Sequence, residues 1–101
     1  MIVGVAIFVY QEGKEDVARK RLEKNLEWAR EQSGHIKSYL AQSLNGSNRF
    51  LVYSEWEKEE DFDAVRRNMM KKGLEDLEEL FEWMDGNPIY GSFQVLSEGV
   101  K

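Results

Sequence analysis

The sequence predicts an α+β domain in which one four-stranded antiparallel sheet carries helices on one face, and three observations carry that prediction. Four runs rich in β-branched and aromatic residues alternate with amphipathic helical stretches. An Asn-Gly pair joins the two middle runs, a strong short-range hairpin signal. Glycine and proline mark the ends of most elements. At 101 residues the chain is long enough for one hydrophobic core and too short for two, so residues 1–101 are read as a single domain.

The first run, Met1 to Tyr10, is rich in valine, isoleucine and aromatic residues, and Gln11-Glu12-Gly13 supplies turn chemistry after it. From Lys14 to Ser33 the spacing becomes helical: Ala18, Leu22, Leu26 and Ala29 share a face, and Gly34 stands where a C-terminal glycine cap is expected. The runs His35 to Leu44 and Arg49 to Trp56 flank Asn45-Gly46-Ser47-Asn48 and are expected to pair antiparallel. Glu59-Glu60-Asp61 suits the positive end of a helix dipole, and Phe62, Val65, Met69 and Met70 keep helical spacing until Gly73. Leu74, Leu77, Leu80, Phe81 and Met84 mark a further helical piece, which Asp85-Gly86-Asn87-Pro88 stops before a last strand, Ile89 to Leu96. The order is βαββαβ with a split second helix, a ferredoxin-like arrangement.

The first strand does not alternate. Val3, Val5, Ile7 and Val9 are apolar on one face, while Gly4, Ala6 and Phe8 are small or apolar on the other. A sheet with one wet face alternates apolar and polar residues, so this one is expected to be covered on both sides. The helical segments cover one face, and a second copy of the chain, docked on the sheet, most simply covers the other.

Composition removes several functions. With no cysteine, disulfides, thiolate metal sites and a catalytic thiol are excluded. No charge-free apolar run approaches the ~18 residues of a membrane span, and Ile2 to Val9 lacks the flanks of a leader, so a cytoplasmic protein without membrane association is expected. A net charge of −5, with basic and acidic residues interleaved along the first helix, argues against nucleic acid as a partner. His35 is the single histidine and reads as a turn or surface residue; the acidic pairs have no spaced ligand partners, so no metal is expected. Ser54, Ser92 and Ser97 lack the His and Asp neighbours of a nucleophile.

The segment Phe50 to Phe62, FLVYSEWEKEEDF, resembles the signature of the antibiotic biosynthesis monooxygenase superfamily, in which a strand ends in an aromatic and acidic turn before a helix. Gly13, Gly34 and Tyr39 are also similar to that family. The resemblance implies a dimeric α/β barrel: two ferredoxin-like units with their sheets face to face, and a ligand cleft between sheet and helices in each. It also implies activities that range from cofactor-independent oxidation of polycyclic aromatics to oxidative opening of haem. This chain departs from the catalytic relatives. The family often has a histidine three residues after the helix phenylalanine, where Val65 stands, and the haem-opening branch uses an asparagine where Ala6 stands.

Five residues are candidates for ligand contact. Arg21, Asn25 and Trp28 form a stripe along one edge of the first helix's apolar face; a buried amide at Asn25 must bond neighbouring backbone or face a pocket. Arg66 falls among the apolar positions of the second helix and must pair with an acid, reach water or bind an anionic ligand. Trp56 shares a strand face with Phe50, Val52 and Ser54, so it is core or a platform for a planar substrate. Trp83 falls off its helix's apolar face, as for a dimer contact or an exposed edge. The expected function is a small homodimeric protein that binds a planar hydrophobic small molecule, with cofactor-free oxygenation as the chemistry if it is catalytic; the missing histidine leaves no obvious general base, so enzyme activity is left open. The alternative is a non-catalytic dimeric ligand-binding or interaction module.

Overall fold

The computed structural model describes residues 1–72 and 74–101. The elements follow the expected order: β1 (Ile2–Val9), α1 (Glu15–Arg30), β2 (His35–Gln42), β3 (Arg49–Trp56), α2 (Glu59–Lys72), α3 (Leu74–Glu82) and β4 (Ile89–Gln94). The four strands form one sheet in the order β2-β3-β1-β4, with every neighbouring pair antiparallel. This is the ferredoxin-like βαββαβ fold. Gly73, expected to interrupt the second helical region, and the side chain of Leu74 lie outside the described residues.

The apolar stripe of α1 is buried as its spacing requires: Ala18, Leu22, Leu26 and Ala29 all face the sheet. The helix ends at Arg30, short of Gly34. Its last turn tightens through Glu31 N–H to the Trp28 carbonyl and Gln32 N–H to the Ala29 carbonyl, both at 3.1 Å, and the Gln32 side-chain amide donates to the same Trp28 oxygen at 3.0 Å. Gly34, at φ +85°, therefore serves the entry to β2 instead of the helix cap, and its carbonyl accepts the Glu57 N–H at 2.9 Å.

The β2-β3 connection is wider than the tight two-residue turn that Asn-Gly favours. Neither Asn45 nor Gly46 takes a positive φ, Gln42 pairs with Phe50, and Arg49 N–H closes the loop on the Gly46 carbonyl at 3.2 Å. Asn48 explains the extra length. Its side-chain amide donates to the Tyr10 carbonyl at 2.8 Å and its carbonyl accepts the Tyr10 N–H at 2.9 Å, so the loop clamps the end of β1. The exit from α3 is stitched to the same place, with Gln11 N–H on the Trp83 carbonyl at 2.8 Å and Asp85 N–H on the Val9 carbonyl at 2.7 Å.

Directly paired residues on neighbouring strands point to the same face, so the register defines both sides of the sheet. Toward the helices stand Gly4, Ala6, Phe8 and Tyr10 of β1 and its end, with Phe50, Val52, Ser54 and Trp56 of β3. On the opposite side, Val5 lies between Tyr53 and Gly91, Ile7 between Leu51 and Ile89, and Val3 pairs with Phe93. Among the described residues no helix covers that side: Ile89 is 70% exposed, Phe93 59% and Tyr39 44%. These exposed apolar and aromatic side chains make this side of the sheet the opposite of its helix-covered face.

Tyr53 lies on that open face. It stacks on Tyr39 with ring centroids 5.0 Å apart and donates its hydroxyl to Glu55 at 2.8 Å. The hydrogen bond to the carboxylate, with desolvation and the negative charge of Glu55 adding to it, pushes the Tyr53 phenol up to about 12. A raised phenol pKa contributes stability that is complete below the ordinary value near 10 and is lost as pH rises from there through about 12. An absorbance titration of phenolate, differenced against Tyr53→Phe, is expected to place this group near 12, and Glu55→Gln is expected to bring it back toward 10. A wild-type midpoint at the ordinary value contradicts the hydrogen bond.

Candidate functional site

The core is divided. One buried cluster gathers Tyr10, Ala18, Leu22, Phe50, Leu80 and Met84; a second gathers Leu26, Ala29, Trp56 and Val65. Between the sheet and the three helices, lined by members of both clusters, lies a cavity of about 200 Å³. The two ends are fixed by the ladder. Trp56 pairs with Ile2 at the start of β1, and Tyr10 follows the end of that strand.

The Trp56 end is built around a close approach of ring to backbone. Phe62, early in α2, lies so near Gly4 that a β-carbon there would stand 2.7 Å from its ring and 3.0 Å from the Ser54 hydroxyl oxygen. Glycine at this point of β1 lets the ring settle on the strand. Phe62 and Trp56 have centroids 6.1 Å apart, and His35 meets the other side of Trp56 edge-on at 5.2 Å. His35 is bonded at Nε2 to the Ser38 hydroxyl at 2.9 Å, and Arg30 Nε donates to the same hydroxyl at 3.1 Å. Desolvation first, and the positive Arg30 second, hold the His35 imidazole below its usual range, which favours the neutral ring.

Of the five candidate ligand residues, three line this cavity and two stand outside it. Trp56 is fully buried and forms part of the wall. Asn25, half-buried on α1, reaches the lining between the apolar positions Leu22 and Leu26. Arg66 is at the rim, its guanidinium carbon 5.6 Å from the Phe62 ring centre and its residue exposed. Arg21 instead pairs with Glu79 of α3 at 3.1 Å and lies 5.2 Å over the Trp83 ring. Trp28 packs against the Leu26–Val65 cluster. Trp83 thus departs from the sequence expectation of an edge or dimer residue: it is half-buried between Arg21 and the Tyr10 cluster, because the chain leaves helical geometry after Glu82 and turns the ring inward.

The sequence did not mark Tyr10 as a ligand candidate, and it offered Ser54 only as a neighbour of Trp56 on its strand and as a serine without the partners of a nucleophile. Both line the cavity and both are buried. Tyr10 was legible only as the last residue of a strand; its alternation with Gly4, Ala6 and Phe8 was the available signal. Among the described residues lining the cavity there is no carboxylate and no imidazole. Two buried donors there, the Tyr10 hydroxyl and the Trp56 indole N–H, have no hydrogen-bond partner among the described residues. Burial pushes the Tyr10 phenol far above its usual range, so it is a neutral donor and never a base at physiological pH. Elsewhere among the described residues, no cluster of three histidine, aspartate or glutamate side chains is placed to hold a metal ion, and no helix is long and apolar enough to cross a membrane.

The described lining therefore combines apolar walls with two unpartnered donors and the Arg66 cation at the rim. Among the described residues of the lining, none is fit to remove a proton. The family model for antibiotic biosynthesis monooxygenases matches residues 1–72. The chain belongs to that family. No curated protein matches it. Among solved structures, this antibiotic biosynthesis monooxygenase family member is similar to a protein from Nitrosomonas europaea assigned to the same family, with a TM-score of 0.82, 17% identity, and coverage of 96% of this chain and 100% of that one. SnoaB, a cofactor-independent oxygenase from Streptomyces nogalater, superimposes with a TM-score of 0.76 at 13% identity, over 96% of this chain and 94% of its own. A conserved protein from Methanosarcina mazei gives 0.78 at 18% identity, over 92% and 90%. At these identities the likeness shows the shared fold.

Proposed function

We propose that this family member is a cytoplasmic homodimer, paired through its open sheet face, that binds a planar hydrophobic small molecule and oxygenates it without a cofactor. The cavity between the two core clusters carries the reading: apolar walls, with Asn25, Trp56 and Arg66 reaching its lining. Family membership and the fold shared with a cofactor-independent oxygenase support it. Arg21 and Trp28 belong to the proposed site through the helix that carries Asn25: the Arg21–Glu79 pair holds α3 against α1, and Trp28 backs the wall.

With no general base in the described lining, the substrate must ionise by its own acidity, helped by Arg66, whose cation favours the anion. A ring CH2 beside a ketone loses its proton to solvent, and the resulting enolate gives its electrons to dioxygen as a carbon–oxygen bond forms. The peroxide anion takes a proton back from solvent, and the hydroperoxide then loses water as its ring C–H and O–O bonds break, leaving a new ring carbonyl. One oxygen atom ends in the product and the other in water.

β-Tetralone, a two-ring ketone with such a CH2, tests this. Binding is followed by quenching of tryptophan fluorescence and turnover by oxygen uptake with stoichiometric dione formation. Catalysed uptake is expected to rise with pH as the bound ketone ionises. Arg66→Gln is expected to move that rise to higher pH, since losing the cation makes the anion harder to form. Binding without uptake above the uncatalysed rate supports the second reading, a non-catalytic binding module, which the lack of an acid or base in the described lining favours. Absence of binding overturns both.

A further inference from the structure

Tyr10 sits where the first core cluster meets the cavity, with its ring 6.2 Å from Phe8 and 6.1 Å from Phe50 between centroids. Its backbone is held from both sides, by Asn48 and by the bridge to Met84, so the ring has little freedom to turn away. The residue is 0% exposed, and its hydroxyl has no partner among the described residues. Leaving a buried hydroxyl unpaired costs about 1–3 kcal/mol, and phenylalanine would fill the same space without that cost. An acceptor that enters the cavity removes the penalty.

The other unpartnered donor is distant. Tyr10 follows Ile2 by eight residues along the strand, and Ile2 faces Trp56. At about 3.3 Å per residue the two donors hang from backbone roughly 25 Å apart. A cavity of ~150 Å³ accepts benzene, so one of about 200 Å³ suits a one- or two-ring molecule, which is shorter than the backbone separation of the two donors. The charged group of the site belongs to the Trp56 end, since Arg66 lies over Phe62, which packs on Trp56. The Tyr10 end is bounded by Leu22, Leu80 and Met84, and the Tyr10 hydroxyl is its fully buried donor without a partner among the described residues.

We propose that the Tyr10 end of the cavity is a separate recognition subsite for a neutral carbonyl oxygen on a small planar ligand, with the Tyr10 hydroxyl as its donor. The inference rests on the cavity being a ligand site and adds to it a second, uncharged selectivity element. A ring ketone is held there by one O–H···O bond and apolar contact, while an anion is drawn to the Arg66 end.

The test compares α-tetralone with tetralin, which has the same two rings and no oxygen, as competitors against a bound fluorescent dye. Wild-type protein is expected to prefer the ketone about 3- to 10-fold, the worth of one net hydrogen bond. Tyr10→Phe is expected to erase that preference, leave tetralin affinity unchanged and leave the melting temperature of the free protein the same or higher. Trp56→Phe is expected to keep it. A preference that survives in Tyr10→Phe, or that disappears only in Trp56→Phe, overturns the subsite and leaves the ligand cavity standing. A clear loss of stability in unliganded Tyr10→Phe also overturns it, because the hydroxyl then has a partner inside the protein. Failure of tetralin and ketone alike to displace the dye overturns the cavity reading together with the subsite.

Discussion

Val5→Lys is expected to convert the protein into monomers. Val5 lies at the centre of the uncovered sheet face, paired with Tyr53 on one side and Gly91 on the other, with Ile7 and Val3 next along the same side of the strand. In a face-to-face pair of sheets this position is enclosed by two copies of the same surface, so one substitution places two ammonium groups in the seam. Each would lose its water without gaining a partner, and the two would repel. In a single subunit the same lysine reaches solvent and disturbs little. Sedimentation at micromolar concentration is expected to show a species of twice the 11.8 kDa chain mass for the wild type and a folded species of the single chain mass for Val5→Lys. A wild-type protein that sediments as a well-folded monomer contradicts the pairing and removes the reason for this face being apolar.

Gly34→Ala is expected to be the most destabilising glycine-to-alanine change among the described residues. Gly34 holds φ at +85°, a region that costs an L-residue about 1–2 kcal/mol. A β-carbon there also runs into the side chain of Asp61, in the first turn of α2, including its own β-carbon. Because the obstruction includes atoms close to the Asp61 backbone, rotating the carboxylate does not clear it. Together the terms suggest a loss of roughly 3 kcal/mol, which in a domain of this size lowers the melting temperature by more than about 10 °C. In the Gly34→Ala background, Asp61→Ala is expected to return part of the loss, since the carboxylate goes while the β-carbon and the strained backbone remain. Melting curves that differ by no more than a degree or two contradict the close packing of the β2 entry on α2.

The position of Gly34 shows how sequence and structure divided the work. Its type was a sound reason to expect a positive φ, and the angle is there; the reason for it was misplaced. A helix cap is a local matter of a few hydrogen bonds, and α1 satisfied its last carbonyls with Glu31, Gln32 and the Gln32 side chain before reaching the glycine. The contact with Asp61 joins segments far apart in sequence, and no local pattern encodes it. The same holds for Asn45-Gly46, where the pairing of the flanking strands followed from their composition, while the wide loop followed from Asn48 reaching Tyr10.

The candidate site was legible where periodicity carried it. Asn25 and Arg66 were identified because each interrupts an apolar helix stripe, and both reach the cavity lining. Arg21 lies on the same stripe by spacing, yet Glu79 and Trp83 engage it, and those partners come from a helix whose docking angle the sequence does not state. Tyr10 escaped notice because a strand-end tyrosine looks the same whether its hydroxyl reaches water or is sealed in a core.

By itself the sequence determined the order of elements, the antiparallel pairing, the buried stripe of α1 and the two-sided greasiness of β1, since each is written in short-range periods of two or 3.6 residues. Tertiary structure alone decided that the core splits into two clusters around a cavity, and that Tyr10 and Trp56, whose donors have no partner among the described residues, belong to different clusters. The reason is physical. Periodicity fixes which way a side chain points, but empty space depends on how closely separate elements approach, and that is set by contacts such as Phe62 on Gly4 between residues distant in the chain.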